Sequence, residues 1–348
     1  MILIDFSALA YQAIHSAVST VKPRLDGEKF ITSDFSPYMV YRILESVFDM
    51  QERFNDNNVV LCLDGESSKN WRKVIYPMYK SSRPKERKQS NINFNEVFEI
   101  INSLIDTLKT SSPYKVVRVP EAEGDDVIMV LAKELPGNKT IVSSDKDLIQ
   151  MQQYPGIQQF SYLTQKFVTY EDKHEDTMQD WLLEHVVLGD ATDDVPRIVD
   201  GLKFSPAFEK FIYENNLALT EAQVRNTNWE QYGFNEYRDG SMMMLDVFER
   251  PRFGITNARK LISQYGSLDA WLDSDPNLRE NYNRNRALVL EEGIPDSVRR
   301  DVIIEYRNAP DTVDFDAFEK FLNDNQIQHL SLALPSNFRK PFTVEDLF

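Results

Sequence analysis

Acidic side chains recur at the carboxyl ends of apolar runs in this chain. "MILID" ends in Asp5 and "VVLCLD" in Asp64, "TIVSSDKDL" carries Asp145 and Asp147 just past its apolar stretch, and "EAEGDDVIMVLA" sets Glu123, Asp125 and Asp126 ahead of another. Adjacent carboxylates repel and raise one another's pKa unless a cation neutralises them. Hard oxygen donors with no His or Cys among them favour Mg²⁺, with Mn²⁺ as a substitute, over zinc. The His residues are scattered and show no zinc-like spacing. Two such ions roughly 4 Å apart activate a water and stabilise the leaving oxygen of a phosphodiester. A lone Asp after a strand is more often a helix cap than a ligand, so the reading rests on the whole set converging. Glu123 and Asp125, two apart, do not share one face of a regular helix. Both reach one ion only from an irregular first turn, where Gly124 permits unusual geometry. Glu121 and Asp126 also read as partners of a helix dipole.

The chain has 348 residues, net charge −16 and a single cysteine, Cys62. That balance argues against a general nucleic-acid binder, yet net charge says little about local patches. The stretch "KNWRKVIYPMYKSSRPKERK", Lys69–Lys88, is densely basic with Glu86 as its one acid. Trp71, Tyr76 and Tyr79 interleave with Arg72, Lys73, Lys80, Arg83, Lys85, Arg87 and Lys88. Cations that track a backbone and aromatics that stack on bases suit a single strand. The alternative is a solvated helix with its aromatics packed inward, and Tyr76 and Tyr79, three apart, allow that. One cysteine excludes an internal disulfide and fits a reducing cytoplasm, or a host's cytoplasm for a viral protein. The opening "MILIDFSALAYQ" has no basic leader, and no run reaches the roughly 18 apolar residues of a membrane span. No membrane partner is expected.

These residues need a frame that holds them together. "MILID", "VVLCLD", "YKVVRV" and "KTIVSSD" read as buried strands. Helical periodicity covers Ser36–Phe54, Phe94–Leu108 and Gly124–Leu135. The alternation predicts an α/β fold with a central, mainly parallel sheet flanked by helices. Ligands bind at the carboxyl ends of such strands, where Asp5, Asp64, Glu123 and Asp145 would meet. After about residue 175 the chain turns helical: "TMQDWLLEHVVLGD" ends at Gly189, and "GITNARKLISQYGSLDAWL" reads as one amphipathic helix. The expected division is an α/β domain at 1–180 that carries the basic segment at about 69–95, a helical domain at 181–310, and a C-terminal segment at 311–348.

Four motifs in this order, "YKSSRP", "EGDDVIMVLA", "SSDKDL" and "LGDATDDVP", resemble the 5′-nuclease superfamily of flap endonucleases, polymerase I 5′-nuclease domains and phage 5′→3′ exonucleases. The likeness is greatest to the T4-type phage RNase H branch, covers about residues 1–200 and resumes at "FGITNARKLISQYGSL". The resemblance implies a PIN/5′-nuclease-like fold with a helical C-terminal DNA-binding domain. It implies a first metal cluster at Asp5, Asp64, Glu123, Asp125 and Asp145, and a second drawing on Asp147, Asp190 and Asp193. Asp126 matches an acidic position in many relatives. Lys80 and Arg83 match residues that stabilise the scissile phosphate, and the basic stripe matches an arch that admits a 5′ end.

The activity so implied is Mg²⁺-dependent 5′→3′ hydrolysis of RNA–DNA hybrids and of branched or flapped duplexes, in lagging-strand primer removal. A single-strand-binding protein is a further partner it implies. The tail "RKPFTVEDLF" resembles peptides that dock replication proteins into sliding clamps. Relatives follow "GD..DN.P" with a compact glycine-rich hairpin that often holds K⁺. Here Arg197 stands where glycine is common and residues 203–250 split the motif, which puts a K⁺ site in doubt. Arg259 and Lys260 can still grip a duplex backbone electrostatically. The rival readings are a noncatalytic branched-DNA binder of the same fold, and a small-phosphate hydrolase that would have no use for a basic–aromatic track.

Overall fold

The computed structural model describes residues 1–83, 87, 89–170, 177–199, 205–217, 234, 247, 253–310 and 313–325. Two compact units divide the chain. One comprises Met1–Ser68, Ser90–Thr169 and Pro295–Phe348, and the other Lys69–Gln89 and Tyr170–Ile294. Both are discontinuous, unlike the linear division expected from the sequence. Chain segments far apart in sequence share one core, which a boundary search along the chain does not reveal.

The first unit is built on a sheet. Its strands are β1 (Ile2–Asp5), β4 (Val59–Leu63), β5 (Lys115–Arg118), β6 (Lys139–Val142), β7 (Ile157–Ser161) and β8 (Lys166–Val168), in the order β5-β4-β1-β6-β7-β8. All neighbours pair parallel except β7 with β8. β1, β4 and β6 are buried along their whole length. Strands covered on both faces read as unbroken apolar runs, which is why the four expected strands are found. The antiparallel edge of β7 and β8 and a small hairpin of β2 (Leu25–Asp26) and β3 (Lys29–Phe30) were not anticipated.

Helices α1 (Phe6–Val21), α2 (Thr32–Phe54), α4 (Phe94–Ser111) and α5 (Gly124–Glu134) belong to this unit. α2 starts ahead of the expected Ser36 and carries Pro37 inside it. Burial of Thr32 and Phe35 favours the longer helix over the break that Pro would otherwise impose. α11 (Asp296–Asn308) packs on α5 and β5, and α12 (Phe315–Asp324) packs on α4, burying Phe318 and Leu322 in the sheet unit's core.

In the helical unit, α3 (Arg72–Ile75) is one turn long, followed by α6 (Met178–Leu188), α7 (Pro206–Glu214), α8 (Ile255–Tyr265), α9 (Leu268–Leu272) and α10 (Pro276–Val289). The single helix expected across 254–272 is two. Gly266 adopts φ +83, and Ser267 caps α9 by accepting from the Ala270 N–H. Most of residues 203–250 and the 326–348 tail, where a clamp-docking peptide is expected, lie outside the described residues. Among the described residues no helix is long and apolar enough to cross a membrane.

Candidate active site

Three adjacent parallel strands of the sheet unit each deliver an aspartate at or just past the carboxyl end: Asp64 from β4, Asp5 from β1 and Asp145 from β6. Asp5 is buried. Its Oδ1 accepts from the Ala8 N–H at 2.9 Å, capping α1, and its Oδ2 accepts from Ser143 Oγ at 2.8 Å. Ser143 Oγ in turn accepts from the Asp145 N–H at 3.1 Å. A single hydroxyl thus couples two of the expected ligands. Asp145 is exposed, and its Oδ1 accepts from the Asp147 N–H at 2.8 Å at the head of the 3₁₀ stretch Lys146–Gln153.

The next strand, β5, leads through residues 119–122 to Glu123, the N-cap of α5. The Gly124 N–H donates to Asp64 Oδ1 at 2.8 Å, so this turn closes onto the end of β4. Asp125 stands in the first turn of α5. Burial, and after it the charges of Asp5 and Asp125, push the Cys62 thiol well above its ordinary pKa. Both carboxylates therefore lie within electrostatic reach of one sulfur in β4. Asp126 departs from the expected ligand role. It is fully buried and forms a capping box with Glu123, accepting the Glu123 N–H at 2.9 Å. The reason is ordinary helix chemistry: the N3 carboxylate satisfies an orphan donor at the helix start.

Among the described residues, no three His, Cys, Asp or Glu side chains are gathered tightly enough to hold an ion as they stand. Each rim aspartate instead lends an oxygen to a nearby N–H. The donor set still fits a hard divalent cation in kind: Asp5, Asp64, Glu123, Asp125 and Asp145 offer only oxygens.

The basic segment belongs to the helical unit. Asp193 gathers its cations: Lys80 Nζ lies 3.3 Å from Oδ2 and the Arg83 guanidinium 2.8 Å from Oδ1. The Tyr79 hydroxyl donates to the same carboxylate at 2.8 Å, and Lys80 Nζ sits 5.0 Å from the Tyr79 ring centroid. The Lys80 N–H donates to the Asp193 carbonyl at 3.0 Å. Asp190 is buried and accepts the Thr192 N–H and hydroxyl at 2.7 and 2.6 Å. Gly189, at φ +60, precedes it. A Cβ there would come within 2.4 Å of the Pro196 carbonyl, so the turn into the "GDATDD" loop admits glycine alone.

The expected stacking aromatics are corrected by their burial. Trp71, Tyr76 and Tyr79 are 6%, 5% and 3% exposed, and Tyr76 and Tyr79 pack with Val186, Phe208, Phe211 and Leu288. Arg72 is likewise buried, its guanidinium over the Trp71 ring and its Nε donating to the Leu288 carbonyl at 2.8 Å. Desolvating three rings in the unit's core outweighs keeping them as an open platform. Among its described residues the segment exposes two large apolar side chains, Val74, at 85%, and Ile75. Lys73 is half-buried and Arg87 exposed, whereas Lys85 and Lys88 lie outside the described residues. Arg259 and Lys260 are exposed on α8, with Arg259 3.7 Å from Asp180.

Sequence reasoning missed α10. Asn285, fully buried, donates its amide to the Val186 and Pro196 carbonyls at 2.9 and 2.6 Å, which brackets the Asp190–Asp193 loop. Asn281 donates to the Ile198 carbonyl at 3.1 Å. Arg284 donates to both Asn side chains and lies over the Tyr76 ring. The polar run "NYNRNR", just ahead of the apolar "ALVL", was the available signal.

Residues 1–180 match the family described as 5′-3′ exonuclease, N-terminal resolvase-like domain. The chain belongs to this 5′-3′ exonuclease family. Within it, the chain is 31% identical over 169 residues to the ribonuclease H of Enterobacteria phage T4, covering 48% of this chain and 53% of that protein. The match thus spans about half the length of that curated relative. In fold, the chain resembles a phage T5 protein co-crystallised with metal ions, with TM-score 0.52, 16% identity, and 93% and 97% of the two chains covered. A phage T5 flap endonuclease in a pseudo-enzyme–product complex with DNA and metal ions superposes with TM-score 0.51 at 14% identity, covering 94% and 98%.

Proposed function

We propose that this chain is a Mg²⁺-dependent 5′→3′ nuclease that cuts phosphodiesters near the 5′ end of RNA–DNA hybrids and of flapped or branched duplexes, as in removal of lagging-strand primers. The observation that carries the reading is the row of aspartates Asp64, Asp5 and Asp145 at the ends of three neighbouring strands. Family membership supports it, as do the ribonuclease H name of the T4 relative and the metal ions and DNA of the T5 complex.

Asp5, Asp64, Glu123, Asp125 and Asp145 would hold divalent ions, with Asp147, Asp190 and Asp193 as the further acidic set. When bound, such ions supply a water nucleophile at neutral pH and neutralise charge on the leaving oxygen. The chain's own residues do the rest. Ser143 fixes Asp5 and Asp145 through one hydroxyl, and Gly124 fixes Asp64. Lys80 and Arg83 already converge on the two oxygens of Asp193, the arrangement a phosphate would meet. A planar guanidinium beside a point-charge ammonium suits the charge that develops on a phosphoryl group. Recognition is by branch and 5′ end with little base readout.

The test is a 5′-labelled RNA–DNA hybrid and a 5′-flap duplex, incubated with Mg²⁺, with chelator, and with an Asp145→Asn variant. Short 5′ products that require both the metal and Asp145 are expected. Tight branch binding with no cleavage under any condition would instead establish a noncatalytic binder.

A further inference from the structure

The loop 189–195 does more than carry acidic side chains, and Asp194 is where this shows. Asp194 is 4% exposed and adopts φ +58, a left-handed conformation that Asp and Asn tolerate better than most residues. Its Oδ2 accepts from the Ser82 N–H at 3.0 Å and lies 3.4 Å from Ser81 Oγ. Ser82 is itself buried, so its N–H has no solvent to turn to. Lys80 is also left-handed, at φ +53, and its N–H is held by the Asp193 carbonyl. Residues 80–82 are therefore pinned from one side by two consecutive loop residues. The turn so made aims Lys80 and Arg83 at one carboxylate.

We propose that Asp194 is a positioning residue, which sets the directions of Lys80 and Arg83 by clamping the Ser82 amide and the Ser81 hydroxyl between them. The proposal rests on the nuclease reading above. A left-handed lysine is intrinsically uphill, so the turn persists only while its anchors do. Losing the Asp194 acceptor frees the turn to relax and scatters the two cations without deleting either. Asn offers an oxygen of the same reach and the same tolerance of positive φ, so it keeps the clamp. Gly accepts the backbone conformation and removes the oxygen, which separates the clamp from any strain.

Steady-state cleavage of a 5′-flap duplex in Mg²⁺ tests this with full-length variants. Asp194→Gly is expected to lower kcat roughly ten- to a hundredfold, as misplaced groups do, with KM changed little. Asp194→Asn should stay within about threefold of wild type, a difference under 1 kcal/mol. In a Lys80→Ala, Arg83→Ala background, adding Asp194→Gly should cost less than about twofold, because no cations remain to be aimed. Full kcat in Asp194→Gly, or the same loss in both backgrounds, overturns the proposal. If Asp194→Gly does not fold, hydrogen exchange at the Ser82 amide decides: protection in wild type and in Asp194→Asn supports the clamp, and rapid exchange in wild type refutes it. An inactive wild-type protein would refute the nuclease reading instead, a different result from an active Asp194→Gly.

Discussion

The Gly124 amide donates to Asp64 Oδ1 across 2.8 Å and so ties the head of α5 to the end of β4. The approach leaves no slack. A Cβ on Gly124 would stand 3.3 Å from both Asp64 Oδ1 and the Cys62 carbonyl. Because the glycine does not adopt a positive φ, the constraint is space and not backbone conformation.

Gly124→Ala should therefore displace Asp64 by a few tenths of an ångström while leaving the fold intact. We expect a stability loss of about 1 kcal/mol, at the mild end of overpacking. Cleavage of a flap substrate should fall by roughly tenfold or more through the misplaced carboxylate. Thermal melts alongside kcat measure both, and full activity would show that Asp64 needs no exact placement.

Trp71→Ala and Val74→Ser should behave in opposite ways. Emptying the Trp71 site costs about 3–5 kcal/mol of unfolding free energy, whereas the exposed Val74 change stays within about 0.5 kcal/mol. Urea titration separates them. If Trp71→Ala left stability untouched and weakened only single-strand binding, an open stacking role would be restored to the ring.

Asn285 holds two carbonyls, that of Val186 in a buried bond and that of Pro196 in a part-buried one. Asn285→Ala leaves them without a donor and is expected to cost about 2–3 kcal/mol. Asn285→Asp should be worse, since it sets a carboxylate oxygen against the same carbonyls. A denaturation midpoint equal to wild type in Asn285→Ala would show that α10 does not hold the loop.

At the surface, Asp34 accepts from the Arg24 side chain and backbone, and this holds its carboxyl down to about 2. A depressed acid adds stability that is complete above the unfolded-state value near 4 and drains away as pH falls toward 2. Arg24→Ala should return Asp34 to the ordinary carboxylate range in an NMR pH titration. An unshifted Asp34 in that variant would assign the effect elsewhere.

The legible part of the molecule was the part whose information is local. β1, β4, β5 and β6 stand out because covered parallel strands must be apolar throughout, and the rim acids stand out because charge beside such runs is costly. α1 is hard to read from Asp5 alone, because a strand-ending aspartate suits a metal and an N-cap equally, and here Asp5 does cap. The aromatics of the basic segment were ambiguous for a different reason. Whether Tyr76 and Tyr79 face in or out depends on Phe208, Phe211 and Leu288, more than a hundred positions away in the chain. Asn285 stands inside the polar run "NYNRNR", but its partners are backbone carbonyls, which every residue has, so the run alone does not say what it holds.

The sheet unit closes only when Pro295 and the residues after it return to it, past the whole of Tyr170–Ile294. α11 covers α5 and β5, where Lys115 Nζ reaches the Ala309 carbonyl at 2.9 Å, and α12 brings Phe318 and Leu322 onto α4. During synthesis the acidic rim is thus encoded early but stays uncovered on these faces until late. Contacts of such long sequence separation slow folding, and the bare apolar surfaces of the partly made chain invite association. A nascent chain stalled before Pro295 should be a target for chaperones and proteases, and the rim carboxylates would gain their rigid frame only after α11 and α12 dock.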